Sequence, residues 1–266
     1  MKTILLATDY SPAARHAAVY ASYLAQYLNV ELHLFHAYVI PFSYTDSPVP
    51  LLNVEEVVEI ANQSMEAELK YLQALTPNIS ITGSVMPGDI IDCLEERIKN
   101  HKPDLVVMGT SGAGGDSFLW GSMAVKALRN LTVPVLAIPM DASWKEVKHI
   151  CFAADYKNID KQFPVNTVID WVKRLDAKLS IVHIDKPGQH EPAKETFQQM
   201  MATVSPDYHT IINEQISDGI NDYMERNPAD WVMIIPKKYG FFENLFHKSR
   251  TEILTKASKI PILALH

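Results

Sequence analysis

Between Val107 and Leu128 the chain reads VMGTSGAGGDSFLWGSMAVKAL, with Gly109, Gly112, Gly114, Gly115 and Gly121 falling inside thirteen positions. Glycine relieves the steric block on positive φ and lets a ligand approach the main chain, while the first amides of a following helix are unpaired and favour an anion. The stretch follows the apolar run DLVVMG and precedes the helix-like SMAVKALRN, so it is a candidate anion site. Its spacing excludes two common phosphate loops. A P-loop needs Lys followed by Ser or Thr after its last glycine, and GxGxxG begun at Gly112 needs glycine where Ser117 stands. No GxSxG nucleophile elbow is present. The ten histidines form no ligand cluster. His33 and His36 are three apart in a strand-like run and point to opposite faces, which argues against a shared metal.

Composition narrows the partners. The 266 residues are 47% hydrophobic, with Lys+Arg 24 against Asp+Glu 31 and a formal net charge of -7. Such a chain builds a sizeable core and has no global basic field to hold nucleic acid or an anionic membrane. No apolar run reaches the roughly 20 residues of a spanning helix. The amino terminus, MKTILLATDY, meets Asp9 before it could serve as a signal peptide's apolar region. A cytoplasmic protein is expected. Cys93 and Cys151, one in a helix-like and one in a strand-like segment, are too few for a disulfide framework and read as buried thiols.

The glycine run needs a scaffold, and periodicity supplies one. Short apolar runs alternate with amphipathic stretches in five βα-like steps, the last without its helix: TILLAT, ELHLFHAY, ISITGSVM, DLVVMG and PVLAIP. Ser11 followed by Pro12 predicts a helix N-cap with proline at the first helical position, and Asp89 after Pro-Gly predicts another. Strands this apolar need cover on both faces, which implies a mainly parallel sheet between helices. The same order then recurs: HICFAADYKN answers TILLATDYSP, KLSIVHIDK answers ELHLFHAYV, ADWVMIIPKKYG answers PDLVVMGTSGAG, and IPILALH answers VPVLAIP. The chain reads as a tandem duplication, its second copy shorter by roughly twenty residues after the second strand. The expected fold is α/β, two doubly wound Rossmann-like domains with five strands each, at 1–140 and 147–266, with the boundary in Asp141 to Val147.

Gly109-x-x-Gly112, eight further residues, then Gly121-Ser122 opening a helix that leads to VPVLAIP resembles the universal stress protein family. Its ATP-binding members carry GxxG, a slightly longer spacer, and Gly-Ser or Gly-Thr after the fourth strand. The resemblance extends over both copies, through the aspartate ending strand one, the order of elements and the closing strand. A fainter likeness, of SGAGGDS to the SGGxDS loop of ATP pyrophosphatases, fails on position, since that loop follows the first strand of its fold. The family resemblance implies an adenine nucleotide alpha hydrolase-like fold that binds ATP, ADP or AMP, with or without Mg²⁺. It implies Asp9 near the adenine or ribose, Gly109 and Gly112 along the ribose and first phosphates, Gly121 and Ser122 at the outer phosphates, and Met108 and Gly114 among the nucleotide-binding residues.

The same resemblance implies a regulatory module with a protein partner still to be identified, and a pseudo-dimer made within one chain by antiparallel pairing of the last strands, with a homodimer beyond that. The competing functions are a slow ATP hydrolase or nucleotidyl transferase in the same cleft, and a scaffold that binds no nucleotide. The second copy keeps Asp155 but has Pro236 and Tyr239 where the first has Gly109 and Gly112. A fixed φ and a bulky ring there replace a permissive backbone, so one nucleotide per chain is expected. The segment KKYGFFENLFHK reads as a packed loop or a partner surface.

Overall fold

The computed structural model describes residues 1–40, 54–110, 121–154, 163–185, 194–236 and 259–266. The first half runs β1 (Thr3–Ala7), α1 (Pro12–Leu28), β2 (Glu31–Tyr38), α2 (Val54–Leu75), β3 (Ile81–Pro87), α3 (Ile90–His101), β4 (Leu105–Gly109), α4 (Ser122–Asn130) and β5 (Val135–Ile138). The second runs β6 (His149–Ala153), α5 (Val165–Leu175), β7 (Lys178–Asp185), α6 (Lys194–Met201), β8 (Asp207–Ile212), α7 (Ile216–Arg226), β9 (Trp231–Ile234) and β10 (Ile262–Ala264). The strands form one sheet in the order β3-β2-β1-β4-β5-β10-β9-β6-β7-β8. Every pairing is parallel except β5 with β10.

Local chemistry starts the helices where expected. Ser11 caps α1, its Oγ accepting from Ala14 N at 3.2 Å, and Pro12 follows as the first helical residue. Asp89 caps α3, accepting from Ile91 N at 2.9 Å. The buried stripe of α1 is mostly alanine, from Ala13 to Ala25, so this helix lies close on the sheet. With α2, α5 and α6 it covers one face, over Ile4, Leu6, Leu34 and Phe152. The helices α3, α4 and α7 cover the other, over Leu5, Val106, Ala137 and Val232. No described helix is long and apolar enough to cross a membrane.

The repeat is visible in polar contacts as well as in topology. Asp104 Oδ2 accepts from the backbone N–H groups of Lys2 and Thr3 at 2.6 and 3.1 Å, and Asp230 Oδ2 accepts from those of Lys148 and His149 at 2.8 and 2.9 Å. In each half an aspartate just before the fourth strand holds the start of the first. Likewise His36 Nδ1 donates to the Thr8 carbonyl at 2.7 Å, and His183 Nδ1 donates to the Ala154 carbonyl at 2.9 Å. The shortening falls after the second strand, where the 22-residue α2 is answered by the 8-residue α6.

The halves meet along their closing strands. Ile262 pairs with Ala137, Leu263 with Leu136 and Ala264 with Val135, antiparallel and buried. Instead of two separate five-stranded sheets, as the duplication alone suggests, one sheet runs through the molecule, because each apolar fifth strand satisfies the other's edge. A buried hydrogen bond crosses the same seam, from Trp231 Nε1–H to Tyr20 Oη at 2.8 Å. The connecting segment packs onto α1: Trp144 sits edge-on to Tyr20 at 5.1 Å between ring centroids, and His16 Nε2 donates to the Ala142 carbonyl at 2.6 Å.

Candidate functional site

In the first half β1 and β4 are neighbours, yet the chain leaves β1 toward β2 and leaves β4 toward β5, so their connections part on opposite sides of the sheet. Such a topological switch point opens a crevice beyond the carboxyl ends of the strands. A cleft of about 440 Å³ occupies it, walled by Ala7, Thr8 and Asp9 after β1, by Met108, Gly109 and Thr110 after β4, and by Gly88, Asp89 and Ile90 before α3. The first turn of α4, Gly121 to Ala124, closes one side, and Ala37 and Val39 border another. Of the residues expected at the site, Asp9, Met108, Gly109, Gly121 and Ser122 therefore come together. Gly112 and Gly114 lie outside the described residues, as do Asp155 and Tyr239.

Asp9 is held by its own turn. Its Oδ1 accepts from Ser11 N at 3.0 Å, which leaves the capping of α1 to Ser11. Tyr10 takes φ 60, and its N–H donates to Thr8 Oγ1 at 3.1 Å. The Tyr10 ring rests on His36 with centroids 4.5 Å apart, and its hydroxyl donates to the Ala61 carbonyl. Burial, with the nearby Glu68 carboxylate, pushes the Tyr10 hydroxyl up to about 12. The turn that aims Asp9 is thus tied to β1, β2 and α2 together. No partner to Asp9 Oδ2 occurs among the described residues, and the carboxylate lines the cleft.

The glycines divide into two roles. A Cβ on Gly109 would stand 2.8 Å from the Ala13 carbonyl oxygen, 2.9 Å from its carbon and 3.2 Å from Ala14 N. Gly109 thus lets β4 and the first turn of α1 approach, where the sequence reading had it making room for a ligand. Gly121 is the N-cap of α4, and its N–H donates to the Thr110 carbonyl. Its N-cap has no side chain, and among the described residues none caps α4, in contrast to α1 and α3. The amides that face outward are therefore those of Ser122, Met123 and Ala124, and the Gly121 amide, expected to meet a phosphate, is spent on the turn.

Several lining residues were not singled out from sequence: Thr8, Ala37, Val39, Gly88, Thr110 and Met123. Most follow once the switch point is known, because they are the next residues along the strands that form it. Gly88 had a signal, in the Pro-Gly pair before Asp89. Its φ is 140, and a Cβ would meet Cys93 Sγ at 2.8 Å. Val39, 74% exposed, is an apolar residue left uncovered at the cleft's edge. Among the described lining residues the charges are Asp9 and Asp89, with no lysine or arginine.

Neither cysteine thiol is activated. Burial raises the Cys93 thiol, as do Glu96, Asp89 and Asp92, and burial pushes the Cys151 thiol up to about 12. Both are free and buried, and a thiol held protonated is a poor nucleophile. Among the described residues no three His, Cys, Asp or Glu side chains gather as metal ligands. His33 and His36 are bound to different partners on opposite faces of β2.

The model of the Universal stress protein family matches residues 1–139. A universal stress protein of Thermus aquaticus is 32% identical over 139 residues, which is 52% of this chain and 98% of that protein. Another, from Methanocaldococcus jannaschii, is 26% identical over 140 residues, 52% of this chain and 81% of its own length. Over the whole chain the fold is that of a universal stress protein from Archaeoglobus fulgidus, whose crystal structure superimposes with a TM-score of 0.72 at 15% identity, covering 99% of this chain and 97% of that one.

Proposed function

Because the chain belongs to the universal stress protein family, we propose that it binds an adenine nucleotide, ATP, ADP or AMP, in the cleft of its first half and works as a ligand-responsive regulatory module. The observation that carries this reading is the first turn of α4, uncapped by any described side chain, facing the switch-point cleft. Three amides and the positive end of a helix dipole favour phosphate oxygens there. The Asp9 carboxylate accepts from the exocyclic amine of adenine or from a ribose hydroxyl. Ala7, Ala37, Val39 and Met108 offer apolar surface to a base. With two carboxylates and no cationic side chain among the described lining residues, a polyphosphate relies on Mg²⁺ for neutralisation, so ATP binds more tightly with Mg²⁺ than without. Filling the cleft fixes the starts of α3 and α4 relative to β1, and a protein partner that reads this surface then distinguishes loaded from empty chains.

Gly121→Val tests the reading. Its backbone, at φ -57 and ψ 142, accepts a β-branched residue, whereas the added side chain crowds the amides of the following turn. Loss of ATP, ADP and AMP binding with an unchanged unfolding temperature is the expected result. Binding that survives the substitution removes the proposed site. Phosphate release measured on the same samples over many turnovers, and abolished by the variant, would make the chain a hydrolase.

A further inference from the structure

We propose that the first half carries a second ligand site, for a small tetrahedral oxyanion such as phosphate or a phosphate monoester, held by Arg97 with His33, His101, Thr82 and Ser84. It lies at the opposite end of the sheet from the nucleotide cleft, where β1, β2 and β3 begin. The helix α3 connects the two, starting at the cleft with Asp89 and ending at Arg97 and His101, a span of about 18 Å for 12 residues. A cavity of about 230 Å³ is present there, bordered by Thr3, Glu31, His33, Thr82, Arg97 and His101. At about 30 Å³ per water in the liquid, that is room for an oxyanion and several waters.

The geometry of Arg97 suits an anion. Its guanidinium lies over the Phe35 ring at 5.3 Å, and its Nη2 and Nη1 donate to His33 Nε2 at 3.0 Å and His101 Nε2 at 3.1 Å. Nη2 also donates to Ser84 Oγ. Among the described residues no carboxylate pairs with Arg97, and its Nε, buried without a partner, is closed to the cavity, so a ligand there meets the outer nitrogens. A partly buried cation ordinarily finds a counter-charge. Here two imidazole nitrogens accept from it, and among the described residues no carboxylate stands within ion-pair distance beside the cavity.

The second half is an internal comparison. By the repeat register, Lys178 and Asp207 stand where Glu31 and Thr82 stand, Ser180 replaces His33, and Tyr223 replaces Arg97. Lys178 and Asp207 form an ion pair at 2.6 Å, and Ser180 is bonded to His149 at 2.8 Å. There the opposite charges pair directly, whereas in the first half Glu31 and Arg97 both border the cavity with no ion pair between them among the described residues.

Proton uptake is linked to occupancy. Accepting from Arg97, His33 Nε2 is unprotonated, and His33 Nδ1–H donates to Thr82 Oγ1 at 2.8 Å. Protonation of His33 turns its Nε2 into a donor able to face an oxyanion beside the guanidinium. The charged and titratable groups facing His33 are Arg97 and His101 from α3 and Glu31 from its own strand, while β1 and β3 present Thr3, Leu5, Thr82 and Ser84. Burial, and then Arg97 and His101, push His33 down to about 4. An anion at Arg97 opposes the two charge contributions and raises it, so binding strengthens as pH falls. Glu31 at the mouth repels the same anion.

The test is NMR of the histidine imidazoles, titrated with inorganic phosphate, with sulfate and glycerol phosphate as parallel arms. Saturable shifts at His33 and His101 are expected, greater in affinity below neutral pH, unchanged by Gly121→Val, tighter in Glu31→Gln, and at least about tenfold weaker in Arg97→Gln, the scale of one lost charged hydrogen bond. Response to phosphate but not to glycerol phosphate identifies the free ion as the occupant; response to both admits a monoester. Thermal unfolding checks that Arg97→Gln folds, and Arg97→Tyr with His33→Ser, the pair that the second half holds at these places, replaces it otherwise. Absence of saturable shifts, equal affinity in the Arg97 variants, or loss of the shifts in Gly121→Val overturns the proposal.

Discussion

Replacing Gly109 by alanine separates two explanations for a glycine in the candidate site. The added Cβ stands 2.8 Å from the Ala13 carbonyl oxygen, whereas ordinary contact begins near 3.4 Å, so α1 and β4 must part by about 0.6 Å. The obstacle is backbone within the first turn of a capped helix, and no side-chain rotation relieves it. Overpacking of this kind costs about 1–3 kcal/mol. Gly109 has no positive φ to lose, so the penalty is steric. In a chain of this size each kcal/mol lowers the unfolding temperature by about 2–4 °C. Differential scanning calorimetry of ligand-free Gly109→Ala should therefore show a loss of several degrees, accompanied by weaker nucleotide binding as Asp9 moves with α1. An unchanged ligand-free unfolding temperature with binding lost would refute the packing argument and return Gly109 to the ligand.

Three further outcomes follow from named contacts. Tyr20→Phe leaves the Trp231 indole N–H buried without its acceptor, at a cost of about 1–3 kcal/mol. Urea unfolding should register this in both halves, and separate transitions in wild-type protein would contradict a shared seam. Asp104→Asn removes a carboxylate that burial alone would raise, but that the N–H groups of Lys2 and Thr3 and the amino terminus hold below the usual range. A depressed carboxyl contributes above its unfolded value, about 3.9, and the contribution fades as pH falls through the folded value. The stability gap between wild type and variant should thus narrow on acidification, and a gap that widens in acid reverses the sign. Asp9→Ala should weaken nucleotide binding by about 1–3 kcal/mol in an equilibrium titration, and full affinity without the carboxylate removes it from the site.

The helix starts were legible because capping is local: Ser11-Pro12 and Asp89 act on amides two or three residues away. The repeat was legible because Asp104 and Asp230 perform one task at corresponding places. The β5–β10 pairing was legible from two apolar strands that each needed a partner. The lining of the cleft was less so. Thr8, Ala37 and Val39 become neighbours only through the strand order, which no short motif encodes. The packing of Gly109 against α1 was not legible, because a missing Cβ looks the same in sequence whether a ligand or a helix takes its space. The Arg97 cluster escaped notice because His33, Ser84, Arg97 and His101 come from three elements and converge only when the sheet forms.

Calorimetric titration of the full chain with ATP, in the presence of Mg²⁺, tests the central claim most directly. The account predicts saturable binding at one site per chain, abolished by Gly121→Val and left intact by Asp155→Ala. Two equivalent sites, or no binding by any of the three adenine nucleotides, would contradict it.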